Sequence, residues 1–162
     1  MKFNSKYLLL ITITASMFVL LIGCGKPVAS YGELEELDSL VSKYPRYVHN
    51  RTEKLLQNYS TPYKRAYTEL LMNVAAYNFG KEIRSDSLIN MAVSEFSKDP
   101  NYLPQNFLRA LIYQGIIRYH NGTLSGDAYL PIKQALDIDA EKSTLNLQTK
   151  QLGNYYLGLI HN

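Results

Sequence analysis

Residues 107–140 read FLRALIYQGIIRYHNGTLSGDAYLPIKQALDIDA, and this stretch decides the fold class. Phe107, Leu108, Leu111, Ile112, Gly115, Ile116 and Tyr119 recur at three- and four-residue steps, the spacing of one face of an α-helix. Pro104 opens that helix and Asn121-Gly122 stops it. Ser125 or Asp127 opens a second helix, with Ala128, Ile132, Ala135 and Leu136 facing inward. Two amphipathic helices joined by a short polar turn must pack as antiparallel neighbours.

The same grammar extends in both directions. Ser30 and Glu33 are spaced as a capping box, and Leu34, Leu37, Leu40, Val41 and Tyr44 share the face that follows, up to a stop at Pro45. A helix from about Arg46 to Tyr59 carries Val48, Leu55, Leu56 and Tyr59. Ser60-Thr61-Pro62 starts another, with Tyr63, Tyr67, Leu70, Leu71, Val74 and Tyr77 inward and an end near Gly80. Ser85 or Asp86 caps a helix bearing Leu88, Ile89, Ala92, Val93 and Phe96, which ends at Asp99-Pro100. The last helix begins near Ser143 or Thr144 and carries Leu145, Leu152, Tyr155, Tyr156, Leu159 and Ile160. No segment alternates with period two between hairpin turns, so the expectation is all-α, with about seven helices and no sheet.

Composition narrows function mainly by exclusion. The 162 residues carry a net charge of +3, and removing Lys2 and Lys6 with the N-terminal leader described next leaves +1. A surface so close to neutral does not fit nucleic acid as the main partner. One cysteine, Cys24, excludes a disulfide framework and any multi-cysteine metal site. His49, His120 and His161 are scattered without a metal-binding spacing, and no nucleophile motif is present, so the reading is non-enzymatic, with no cofactor and no metal. The acids at Glu35-Glu36 and at Asp137, Asp139 and Glu141 read as solvated helix ends.

Met1 to Lys6 is a short basic region, and Tyr7 to Ile22 (YLLLITITASMFVLLI) is uncharged. That run is short for a membrane span, which needs about 20 apolar residues, and right for a signal peptide. It ends in Leu21-Ile22-Gly23-Cys24, which resembles the bacterial lipobox. The resemblance implies a signal peptide over 1–23, cleavage before Cys24, and acylation of Cys24 with diacylglycerol and palmitate-type chains. Several acyl chains hold a soluble domain at a bilayer far better than one. Residues 24–32 then read as a flexible tether and 33–162 as the helical domain. No acidic cluster follows Cys24; such a cluster resembles a surface-export signal of Bacteroidetes lipoproteins, so the resemblance implies the periplasmic side of a bacterial envelope.

Ala75, Gly115 and Gly158 recur at intervals of 40 and 43 in similar contexts, within the periods of two-helix repeats. Gly115 and Gly122 stand seven apart, as do Ala128 and Ala135, and Lys133 to Asp139 (KQALDID) closes the unit. This pattern resembles the tetratricopeptide repeat family. Ala140 stands where the family has Pro, and Arg118 where it has Tyr. The resemblance implies a right-handed solenoid of antiparallel helix hairpins that binds a protein or peptide segment on its inner curve. The segments at 36–40, 66–71 and 86–92 are similar to the N-terminal repeat regions of Bacteroidetes envelope regulators, and that resemblance implies a sensory role. Asn162 falls within or just after a first-type helix, so the chain is a truncated relative or its last helix acts as a cap.

The candidate contact surface follows from the repeat. Asn78, Arg118 and His161 occupy one polar motif position in the three copies, beside Tyr77 and Tyr113. Tyr67, Tyr77, Tyr113, Tyr119, Tyr155 and Tyr156 all lie on first-type helices, most of them packing between helices. Arg109 and Arg118 are placed on the solvent side in preference to a groove. The alternative reading is a carbohydrate- or nutrient-uptake lipoprotein built on a helical-repeat scaffold; zero Trp and short length count against it.

Overall fold

A computed structural model describes residues 31–58, 61–123 and 125–161. The expected signal peptide, Cys24 and Ser30 lie outside the described residues. The described residues form seven α-helices and no strand: α1 Gly32–Leu40, α2 Pro45–Leu56, α3 Pro62–Asn78, α4 Ser87–Phe96, α5 Pro104–His120, α6 Ser125–Lys142 and α7 Leu147–His161. Each helix packs against the next, and α1, α3, α5 and α7 also touch one another in that order.

Local chemistry explains most boundaries. Prolines occupy the first turn of α2, α3 and α5, where a missing N–H costs nothing. Pro45 therefore opens α2; the sequence reading had it only as the stop of α1. Thr61 sits at the N-cap of α3 but makes no side-chain cap bond, so Pro62 carries that start signal. At α4, Ser85 Oγ accepts from the Ser87 N–H at 3.2 Å, while the Asp86 side chain caps nothing. α3 and α5 end alike. Gly80 (φ +74°) and Gly122 (φ +68°) adopt the left-handed conformation that closes a helix. Lys81 N bonds Ala76 O and Thr123 N bonds Arg118 O, satisfying carbonyls left over at each helix end.

Other boundaries depart from the sequence reading: α1 ends at Leu40, short of Tyr44, and α2 ends at Leu56, short of Tyr59. α7 starts at Leu147, not near Ser143, because Asn146 Oδ1 takes the Thr149 N–H at 2.9 Å. Ser143 is a non-glycine residue at φ +50° in the α6–α7 turn. Asp139 fixes that turn. It is 1% exposed, accepts the Leu145 N–H at 2.6 Å, and meets Lys150 Nζ at 2.8 Å. Asp139 is thus a buried tie and not a solvated helix end. Tyr31, assigned to the tether, is also part of the folded unit and is 5% exposed.

The core is continuous from Leu34 and Leu37 on α1 through Val48, Leu70, Leu71, Val74, Ile89 and Phe96 to Ile112, Ile116 and Ile132. α5 lies at its centre. Residues Asn106 through Ile117 are all buried, so α5 has no solvent face over three turns. Gly115 is what lets α6 in. A Cβ there would stand 2.5 Å from the Ala128 carbonyl oxygen and closer still to Ile132. Gly158 does not repeat this contact, since a Cβ would meet nothing within 4 Å. On α7 the close-packed glycine is Gly153, whose Cβ would lie 3.2 Å from Ile112 and 3.4 Å from Leu136. The three-fold motif therefore does not mark three equal seams.

Candidate functional site

Among the described residues, a groove of about 690 Å³ is lined from α1, α3, α5, the α6–α7 turn and α7. Its floor is built by periodicity. Asp38 follows Leu34 by four residues on α1, and Tyr67 and Val74 are seven apart on α3. Arg109 and Tyr113 stand one turn apart on α5, so each helix projects its groove residues from one stripe.

An ion pair sits in that floor. Arg109 is 7% exposed, and its Nη1 donates to Asp38 Oδ1 at 2.6 Å. Tyr67 Oη donates to Asp38 Oδ2 at 2.8 Å, so both carboxylate oxygens are engaged. Burial, and then the Asp38 charge beside it, push the Tyr67 hydroxyl above its ordinary range. Tyr113 is 5% exposed and burial pushes its hydroxyl up to about 12. Its ring meets Tyr77 edge-on at 5.6 Å. The groove walls add side-chain amides from Gln105, Asn146, Gln148 and Gln151, and the face of Tyr155, which is 61% exposed.

A second hollow, about 640 Å³, lies on the far side of Tyr77 and Asn78 and is lined by Lys81, Ile83, Ile117, His120 and Tyr156. His120 Nε2 and Tyr156 Oη are 2.7 Å apart, and Tyr156 Oη is 3.2 Å from Tyr77 Oη. Burial and the Tyr77 contact raise the Tyr156 hydroxyl above its ordinary range. Below this rim, Lys81 Nζ lies 3.0 Å from Nε2 of buried His49. Burial, then the Lys81 charge, lower the His49 pKa, so the ring is neutral and accepts from Lys81.

The residues expected to form the contact surface separate. Tyr77, Asn78 and Tyr113 line the groove. Asn78 Nδ2 also donates to Val41 O at 3.2 Å. His161 is exposed at the end of α7 and lines neither hollow. Arg118 also lines neither; it is tied into the fold. Its Nε donates to Asp86 Oδ2 at 3.1 Å, its Nη2 to Asn90 Oδ1 at 3.3 Å and its Nη1 to the Asp127 carbonyl at 3.3 Å. That carbonyl lacks its helical partner because Pro131, four residues on, has no N–H.

Asp38 and Arg109 are the groove residues that the sequence reading passed over, Arg109 having been placed in solvent. A partial signal existed: Asp38 stands four residues after Leu34, and Arg109 lies between Leu108 and Ala110 in a mostly apolar helix. Among the described residues, no cluster of three or more His, Cys, Asp or Glu could hold a metal ion, and no helix is long and apolar enough to cross a membrane. Comparison with family models, with curated proteins and with solved structures finds no match to this chain.

Proposed function

We propose that this protein is a lipid-anchored, non-enzymatic component of a bacterial cell envelope whose helices bind a peptide or a segment of another protein. The observation that carries the reading is the groove, because it combines tyrosine faces with buried polar groups in a preformed hollow. Tyrosine supplies large, rigid contact area with a polar tip at small entropic cost. The helices are read as antiparallel hairpins of a tetratricopeptide-like, right-handed solenoid. The serial contact of α1, α3, α5 and α7 supports that arrangement, as does the close approach of α6 at Gly115. In it the groove is the inner curve, and Tyr77, Asn78 and Tyr113 are its contact residues. The anchor rests on the sequence around Cys24 and implies a periplasm-facing domain, with a sensory role following from the resemblance to envelope regulators.

A carbohydrate or nutrient ligand is the second reading. The side-chain amides of Gln105, Gln148 and Gln151 beside Tyr155 favour it, since a hydroxyl-rich ligand uses the same groups. Titration of the full chain with peptide and oligosaccharide panels separates the two. Ser42 is exposed on the groove wall, so Ser42→Trp fills the hollow without disturbing the core. Binding should vanish in that variant; unchanged binding removes the groove from consideration. Labelled palmitate should enter the wild type and not Cys24→Ser.

A further inference from the structure

The floor of the groove holds hydrogen-bond donors that the fold leaves unused. Among the described residues, Tyr113 Oη makes no hydrogen bond, although Tyr113 is one of the buried residues of α5. Arg109 engages Asp38 through Nη1 alone, and nothing described accepts from its Nε or Nη2. A guanidinium offers five N–H donors in a fixed plane, so most of its capacity is open. Both residues border the open space of the groove, which makes these donors a prepared complement to acceptor oxygens.

Spacing identifies the acceptors. Arg109 and Tyr113 are four residues apart on α5, a rise of roughly 6 Å. An extended peptide repeats its same-side carbonyls every two residues, roughly 6.6 Å. A strand lying along α5 therefore brings successive carbonyl oxygens over both donors. Gln148 and Gln151 of α7 line the same groove, and each amide can both donate and accept. Charge narrows the ligand further. The charged lining is Glu35, Asp38 and Arg109, so the groove carries one excess negative charge and repels acidic segments.

We propose that the groove takes an extended, uncharged or basic peptide by its main chain, with Arg109 and Tyr113 donating to successive carbonyl oxygens. This rests on the peptide-binding reading and adds that recognition depends on charge and extension and not on the order of side chains.

The test uses the full chain in detergent and three capped decapeptides: an uncharged one of Ala, Thr, Gln and Val, its scrambled order, and a version with two Thr replaced by Glu. Calorimetric titration should give the first two affinities within about threefold, and the acidic peptide at least tenfold weaker at low salt. Tyr113→Phe removes only the hydroxyl and should weaken the uncharged peptides by roughly three- to tenfold, the worth of one hydrogen bond. Thermal melting by circular dichroism checks that the variant is folded. Equal binding by Tyr113→Phe, or strong dependence on residue order, overturns the main-chain assignment and leaves peptide binding intact. Binding of maltotetraose or chitotetraose that Ser42→Trp abolishes, with no peptide bound at millimolar concentration, overturns both.

Discussion

The two sides of α5 use the same ingredients differently. On one side Arg109 pairs with Asp38 of α1, and on the other Arg118 pairs with Asp86 beside α4. All three nitrogens of Arg118 are spent, on Asp86, on Asn90 and on the carbonyl that Pro131 orphans in α6. Gly115 closes the rest of that side by admitting the α6 backbone. The side facing the groove keeps Arg109 nitrogens and the Tyr113 hydroxyl uncommitted. An arginine inside a helical stack is thus not informative by type. What separates a strut from a recognition group is how many of its donors the fold consumes.

The largest test of this contrast removes each aspartate. Asp38→Ala strands the buried Arg109 charge and should cost about 3 kcal/mol in urea denaturation. Asp86→Ala opens a more exposed pair and should cost about 1 kcal/mol or less. Equal losses would erase the distinction between the two sides. Next comes the α5–α6 seam. Gly115→Ala drives a methyl into the Ala128 carbonyl, which is backbone and cannot swing away, so a loss of about 2 kcal/mol is expected. Gly158→Ala meets open space and should instead stabilise α7 by about 0.5 kcal/mol, the helix preference of alanine.

These pairs mark how far the sequence could be read. Helix number, type and most starts follow from prolines, glycine stops and three-four periodicity, which are local. The groove is not local. Asp38 and Arg109 are 71 residues apart, and nothing short of the packing of α1 on α3 and α3 on α5 brings them together. Gly158 and Gly115 share a motif context, yet only Gly115 faces a following helix. Arg118 was legible as polar and well placed, but its use depends on Pro131, thirteen residues on and in a different helix. Periodicity shows which face a residue occupies; it does not show which neighbour has already claimed its donors.

The remaining effects are in pH, and they carry opposite signs on the two sides. Tyr113 ionises near 10 when unfolded and near 12 when folded, because burial disfavours the phenolate. Its contribution is whole below pH 10 and is lost as pH rises toward 12, on the order of 2 kcal/mol. Tyr113→Phe should remove that part of the alkaline loss in urea midpoints taken from pH 8 to 12. Asp86 behaves in reverse. Partial burial alone would raise its pKa, but Asn90 and Arg118 outweigh it and hold the carboxylate below its ordinary range. That contribution is present above the usual carboxylate value, near 4, and fades as pH falls below it. Because Asp86 is about one-third exposed, solvent screens the pair and the acid effect should be a fraction of the alkaline one. Asp86→Asn should flatten the acid limb and leave the alkaline limb unchanged. If either substitution moved both limbs together, the two sides of α5 would be one coupled network and the separation of strut from recognition group would fail.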